Sequence, residues 1–318
     1  MCSPFYTGQT HRSTPTKLAL KCCGLRRDMA RRAPTLAVHK KIKIMLTFPQ
    51  VDPIIFSLGP FHVRWYGLMY IIGFVACYLL VGYQAKKFHW DRLIEHLDNL
   101  NIAIVAGVVL GGRLGYVLFY NLPYFLKHPL EIFATWQGGM SFHGGALGVL
   151  IALAIYSKRH DLDPWKIIDM YTVTAPIGVG FGRLGNFING ELYGRATDLP
   201  WGMVFPYGGP QPRHPSQLYE AFLEGVVLFI VLWLLKGKPW QVDQDGKQAS
   251  LWPHGSMTAL AMVLYGFFRF LVEFVREPDA HLGTVFLGMT MGQVLSAVLV
   301  GMGIILWTIR RKKAASSS

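Results

Sequence analysis

Seven long apolar runs, separated by short polar segments, dominate the chain. They fall near residues 65–84, 100–120, 140–156, 167–186, 217–235, 255–274 and 286–307. Each is close to the roughly 20 residues that a helix needs to cross about 30 Å of hydrocarbon. In lipid every backbone N–H and C=O must find its partner within the protein, so such runs are read as helices. The pattern predicts an all-α membrane protein with seven transmembrane helices and a small head region outside the bilayer. In the third run Gly144 and Gly145 work against the first turn.

The loops between the runs set the orientation. Lys86, Lys87 and Arg92 follow the first run, and Lys158, Arg159 and Lys166 follow the third. Lys236, Lys238 and Lys247 follow the fifth, and Arg310, Arg311, Lys312 and Lys313 follow the seventh. With seven crossings all of these lie on one side, whereas the opposite loops are poorer in lysine, with Lys127 the only one. The excess of Lys and Arg marks the cytoplasmic side. The C-terminus is therefore expected in the cytoplasm and the start of the first span outside.

Composition agrees with a membrane protein. Of 318 residues, 52% are hydrophobic and 15% charged, against about a quarter charged in a soluble domain. The net charge of +13 suggests nucleic acid, but its distribution argues otherwise. Residues 1–44 hold ten Lys/Arg and a single acid, Asp28; the remainder is nearly balanced. That basic segment lacks an apolar run long enough for a signal peptide. Cys2, Cys22 and Cys23 lie in it, at a spacing that suits no metal. It is expected to be a disordered tail or to precede a physiological start at Met45, leaving 45–318 as the working domain. Ten positive charges outside the membrane would also oppose the loop asymmetry.

Several polar residues sit where lipid makes them costly. An ionised side chain at mid-bilayer costs roughly 2.5–3.5 kcal/mol on insertion scales, so such residues pair, snorkel or act. Arg113, Arg183 and Arg269 lie toward the ends of the second, fourth and sixth runs, all of which lead outward. His143 opens the third run at the same level. Asn189 and Glu191 follow the fourth run, and His214 and Glu220 begin the fifth. Glu273 stands four residues after Arg269, an i,i+4 pair on one helical face. For any one of these an ordinary explanation serves: an arginine snorkels, a histidine packs. Together they predict three guanidiniums, an imidazole and several carboxylates gathered in the outer leaflet, with Asp169 the main charge on the inner side. Guanidinium forks match phosphate oxygens, which points to a phospholipid headgroup.

Other motifs carry less. Gly180-Phe-Gly-Arg-Leu-Gly185 fits G-x-G-x-x-G but lies inside an apolar run rather than between strand and helix, so dinucleotide binding is rejected. Ser141 lacks the G-x-S-x-G elbow of a hydrolase. Cys77 reads as a packing residue. No cluster suggests a metal or cofactor. The pattern Gly112-Arg-Leu-Gly115 recurs as Gly182-Arg-Leu-Gly185, with small residues that let a neighbour approach each arginine.

Five blocks in order resemble the bacterial prolipoprotein diacylglyceryl transferases. They are Trp65-Tyr-Gly-Leu-Met-Tyr70, Gly138-Gly-Met-Ser-Phe-His-Gly-Gly145, Phe181-Gly-Arg-Leu-Gly-Asn-Phe-Ile-Asn-Gly-Glu191, Arg213-His-Pro-Ser-Gln-Leu-Tyr-Glu220 and Tyr265-Gly-Phe-Phe-Arg-Phe-Leu-Val-Glu273. The resemblance spans everything after residue 44; the stretch 196–211 is shorter than in some relatives. It implies transfer of a diacylglyceryl group from phosphatidylglycerol to the lipobox cysteine of a preprolipoprotein, forming a thioether and releasing glycerol 1-phosphate. It also implies a multi-pass enzyme of the bacterial inner membrane, with its active site toward the periplasm and membrane lipids, not nucleic acid, around it. On this reading His143 is the base for the thiol, because imidazole accepts a proton near neutrality. Arg183 and Arg269 stabilise the departing phosphate. Tyr66, Asn186 and Glu191 orient the headgroup, Tyr265 contributes to the substrate site, and Glu273 steadies Arg269. Arg113 is a weaker candidate, snorkelling being its ordinary explanation. The rival readings are a lipid or solute transporter and an intramembrane hydrolase using Ser141 and His143.

Overall fold

Every apolar run folds as a helix that keeps much of its apolar surface on the outside. The computed structural model describes residues 46–59, 61–135, 138–241, 252–277, 284–286 and 288–317. The basic segment 1–44, the start at Met45, the three N-terminal cysteines and Lys247 lie outside the described residues.

The helices are α1 (Trp65–Lys87), α2 (Asp91–Tyr120), the short α3 (Leu122–Lys127), α4 (Phe142–Arg159) and α5 (Pro164–Ile188). Then come α6 (Ser216–Glu220), a π-helical stretch Ala221–Val227 and α7 (Leu228–Leu235) as one continuous rod, followed by α8 (Ser256–Val272) and α9 (Met291–Ser317). Trp65–Lys87, Asp91–Tyr120, Ser216–Trp240 and Met291–Ser316 are long and apolar enough to cross a membrane; Ser256–Val272 is apolar but shorter. Ile71, Leu79, Ile102, Leu110 and Leu234 are all at least 60% exposed. Surfaces of this kind belong in lipid rather than water. The seven-run expectation thus narrows to four helices that qualify by length and composition. α5 carries Lys166, Asp169 and Arg183 within its run, and α4 ends on Lys158 and Arg159.

Two boundaries differ from the hydropathy pattern. α2 begins nine residues before residue 100, because its first turns are amphipathic: Leu93, Leu97 and Leu100 are buried while Asp91, Glu95 and Asp98 face outward. α9 begins at Met291 rather than near 286, because β5 (Thr284–Phe286) pairs antiparallel with β6 (Met289–Thr290).

Glycine seams set how the helices meet. A Cβ on Gly107, Gly111 or Gly115 of α2 would run into the backbone of Gly144 or Gly148 on α4. This small-residue contact lets two backbones touch. Gly144 therefore does not break α4; Ser141 caps the helix instead, its hydroxyl accepting from Gly144 N at 3.2 Å. α1 packs antiparallel on α5. Gly73 lies against Gly178, the Cys77 thiol donates to Thr174 O at 3.5 Å, and Gln84 Nε2 donates to Met170 O at 3.1 Å. Gly225 of the π-helical stretch abuts Gly180 of α5, and Gly303 of α9 abuts Ala259 of α8. Along the chain each long helix runs opposite to the one before it.

α5 and α8, by contrast, run parallel. Asp169, buried on α5, accepts from Gly255 N at 2.7 Å, Thr258 N at 2.9 Å and Thr258 Oγ1 at 2.8 Å. It caps α8, whose own N-cap is Gly255 with φ of 100° and no side chain to offer. The charge that broke the inner-side pattern is thus a helix cap supplied by another helix.

At the Trp65 end of α1 lies a small head. The hairpin of β2 (Ile54–Leu58) and β3 (Phe61–Arg64) leads into α1, and β1 (Leu46–Thr47) pairs parallel with β4 (Met203–Val204). Phe48 fills the head against Phe187 and Phe205, each with ring centroids 5.3 Å away. Arg213 knits it together, with Nε donating to Gly208 O at 2.8 Å and Nη1 to Glu277 Oε2 at 2.9 Å. At the opposite end of the bundle the basic loops meet aromatic rings. Lys166 lies over Trp90 and Trp240, and Arg310 over Trp165.

Candidate active site

Two arginines from different helices meet on one carboxylate. Arg183 Nε is 2.8 Å from Glu220 Oε2, and Arg269 Nη1 donates to Glu220 Oε1 at 2.5 Å. Arg276 Nη1 stands 3.7 Å from the same oxygen. Arg269 Nη2 is 2.9 Å from Glu273 Oε2, the i,i+4 pair expected from the sequence. Glu273 is held in turn by Thr290, whose hydroxyl donates to Oε1 at 3.0 Å, and its carboxylate rests against the bare Cα of Gly292. Glu220 is 1% exposed, while Arg183 and Arg269 retain 19% and 14%. The acid is sealed within the bundle and the guanidiniums reach its edge.

Local structure explains the convergence. Arg183 and Gly180 share successive turns of α5, and the Gly180–Gly225 contact draws the Ser216–Leu235 rod close enough for Glu220 to reach the guanidinium. The π-helical stretch starts directly after Glu220. Its wider turn re-aims the next acid, Glu224, whose Oε2 lies 3.6 Å from Arg183 Nη2. Tyr265 precedes Arg269 by one turn on α8.

A second group adjoins the first. Asn186, one turn after Arg183, donates to Glu191 Oε1 at 2.8 Å, and Asn189 donates to the same oxygen at 3.2 Å. Tyr66 lies against Gly185 and shares a 3.1 Å contact with the Tyr70 hydroxyl. The loop bearing Glu191 is tightly wound: Gly190 has φ of 67° and Leu192 of 57°. For Leu192 that left-handed conformation is strained. The α6 rod holds it in place, Gln217 Nε2 donating to Glu191 O at 2.5 Å and Ser216 Oγ to Leu192 O at 2.9 Å. Three residues after Gln217 stands Glu220, so one short helix links the two groups.

Two of the expected residues fall elsewhere. Arg113 does not join the arginine cluster, nor does it snorkel. It is buried, with Nε donating to Ile132 O at 2.8 Å, Nη1 to Gly138 O at 2.6 Å and Gly139 O at 3.2 Å, and Nη2 to Glu131 O at 2.6 Å. It clasps the loop before α4, so the expected convergence of three guanidiniums reduces to Arg183 and Arg269, with Arg276 beside them. His143 sits at the start of α4, at the same end of the bundle, but is exposed; its ring contact among the described residues is with Phe142. Ser141 is engaged as the cap and makes no bond to His143. Glu224 and Arg276 escaped the sequence reading. Glu224 had a visible signal, an acid in the middle of an apolar run and one turn beyond Glu220.

Lipid-facing helices that bring guanidiniums and carboxylates together at one end, beside a small polar head, define a membrane protein with a buried arginine–glutamate cluster. The profile of the prolipoprotein diacylglyceryl transferase family matches residues 53–309, and the chain belongs to that family. The phosphatidylglycerol–prolipoprotein diacylglyceryl transferase of Desulfotalea psychrophila is 52% identical over 273 residues, covering 85% of this chain and 98% of that protein. Proteins of the same name from Pseudomonas aeruginosa and Nitratidesulfovibrio vulgaris are each 49% identical, over 273 and 267 residues. They cover 85% and 84% of this chain, and 98% and 96% of their own lengths.

Proposed function

We propose that the chain crosses the bacterial inner membrane seven times and joins a diacylglyceryl group to a lipoprotein cysteine at the periplasmic end of the bundle. Family membership and the names of the relatives supply the reaction: phosphatidylglycerol gives up its diacylglyceryl group to a prolipoprotein. The alternating helix directions support seven crossings. The Lys166, Lys236 and Arg310 end supports a cytoplasmic face opposite the arginine site.

The thiol sulfur attacks the glycerol carbon of phosphatidylglycerol. The S–C bond forms, the C–O bond breaks, and its electron pair leaves with glycerol 1-phosphate. His143, exposed at the same end of the bundle, takes the thiol proton. Arg183 and Arg269 face the phosphate as it gains its second negative charge, and stabilise it more then than in the bound lipid. Arg183 gives Nε to Glu220, and Arg269 gives Nη1 to Glu220 and Nη2 to Glu273, so the phosphate meets the N–H donors that these pairs leave over. Tyr66, Asn186 and Glu191 hold the headgroup glycerol, while Tyr265 and Glu273 fix the two guanidiniums. No cofactor or metal enters this sequence of steps.

The observation that carries the proposal is the meeting of Arg183 and Arg269 on Glu220. Incubation of the purified protein with phosphatidylglycerol vesicles and a lipobox peptide tests it. A peptide heavier by one diacylglyceryl group, lost with Arg183→Gln, is the expected result. Lipid hydrolysis without any thiol acceptor, or an unmodified peptide, would overturn it in favour of a hydrolase or a transporter.

A further inference from the structure

Glu224 is the anomaly of the arginine site. It is 0% exposed, and neither carboxylate oxygen has a hydrogen-bond donor among the described residues. Its nearest cation, Arg183 Nη2, is 3.6 Å away, while Glu220 on the preceding turn takes the close contacts of two guanidiniums. A buried carboxylate without donors is costly in its ionised form, and a proton removes that cost.

The charges around it define when the proton is needed. Arg183 of α5 lies nearest to Glu224, Glu220 stands one turn earlier on the same rod with Arg269 of α8 and Arg276 beyond it, and Tyr265 of α8 is close enough to act on Glu224 electrostatically. Arg183, Arg269 and Arg276 balance Glu220, Glu224 and Glu273 while the site is empty. An arriving phosphodiester brings one further negative charge. Glu220 cannot be neutralised without losing the closest ion pair of both Arg183 and Arg269, and Glu273 is held by Arg269 and Thr290. Glu224 has the least to lose.

We propose that Glu224 is a protonatable counter-ion of the anion site: binding of a phosphodiester headgroup draws one proton onto its carboxyl group, and the proton leaves with the anion. This rests on the reading that Arg183 and Arg269 bind the lipid phosphate. Glu224 acts through Arg183 and is a positioning residue, not a catalytic one. Its neutral form frees Arg183 from one carboxylate and turns more of the guanidinium charge toward the ligand. Linkage then requires affinity to fall as pH rises, by up to about tenfold per pH unit where uptake approaches one proton.

The test uses a short-chain phosphatidylglycerol, whose phosphodiester keeps a constant charge between about pH 5 and 9, and the whole protein in detergent. Binding is followed by calorimetry in buffers of different ionisation enthalpy, which reads the protons taken up. The wild type is expected to take up close to one proton per lipid at the upper end of this range. Glu224→Gln is expected to bind without uptake and with an affinity flat in pH, and Glu224→Asp to restore part of the uptake. Binding by the wild type with no proton uptake, or equal uptake by Glu224→Gln, would overturn the proposal while leaving the arginine site intact. Binding that Arg183→Gln does not weaken would instead remove the reading beneath it. If Glu224→Gln fails to fold, the reduced uptake of Glu224→Asp makes the assignment, and uptake equal to the wild type in that variant would overturn it.

Discussion

Glu220 gives one carboxylate oxygen to Arg183 and the other to Arg269, tying α5 to α8 through a third helix. Removing that acid leaves two guanidiniums facing each other at the edge of a low-dielectric site. Glu220→Ala is expected to abolish lipidation and to lower stability by about 3–5 kcal/mol, the usual cost of breaking a buried pair. Arg183→Lys keeps the charge but not the fork that reaches both Glu220 and Glu224, so activity should fall at least a hundredfold. The peptide-lipidation assay reads both; near-normal turnover by Arg183→Lys would show that the fork is not needed.

The α2–α4 seam predicts a contrast between two glycines. A Cβ at Gly111 meets the backbone of α4, which cannot yield as a side chain can, whereas one at Gly301 of α9 meets nothing within 4 Å. Gly111→Ala should therefore lower thermal stability in detergent by about 1–3 kcal/mol. Gly301→Ala should be neutral or slightly stabilising, since alanine favours the helix by up to about 1 kcal/mol. Equal melting temperatures for the two variants would mean that the seam is slack.

Arg113 clasps the loop before α4 by its fork of N–H donors, and a lysine ammonium cannot span the same carbonyls. Arg113→Lys should raise hydrogen exchange of residues 131–135 and 138–141 while leaving α8 and α9 unchanged. Unchanged protection of that loop would show that the clasp is redundant.

If His143 takes the thiol proton, His143→Gln should flatten the acidic limb of the pH–rate profile as well as lower its height. A profile of wild-type shape at reduced height would exclude it as the base.

A separate histidine gives a stability test. His254 lies just before α8, edge-on to Trp240, with its carbonyl bonded to Arg310 Nε at 2.7 Å. Burial, with the charge of Lys166 nearby, lowers its imidazole to about 4 from the ordinary 6.5. Below about pH 6.5 the unfolded chain takes up a proton that the folded chain refuses until about pH 4. Stability should thus fall as pH drops through that window and level off beneath it, by at most about 3 kcal/mol. Thermal unfolding from pH 7 to 4 should show a shallower loss in His254→Gln than in the wild type.

Hydropathy placed the helices because lipid-facing and core-facing residues are both apolar, so burial hardly alters the pattern. It missed the first turns of α2 because they are amphipathic and end at the interface. The Arg269–Glu273 pair was legible, being local to one helix. The pairing of Arg183 with Glu220 was not, since it depends on the Gly180–Gly225 contact that brings two helices together. Arg113 shared its Gly-Arg-Leu-Gly setting with Arg183, yet its partners are loop carbonyls, which no residue type announces. Asp169 looked like a misplaced charge for a similar reason: the N–H groups it satisfies belong to a helix far along the chain.

That cap acts at a distance. Arg183 lies fourteen residues after Asp169, and Arg269 fourteen after Gly255, a rise of about 21 Å along each helix. Because α5 and α8 run parallel, the bond from Gly255 to Asp169 acts as a common zero for two rulers of equal length. The height at which the two guanidiniums stand is thereby set from the far end of the bundle. A substitution at Asp169, remote from any substrate, would put the two arginines out of step.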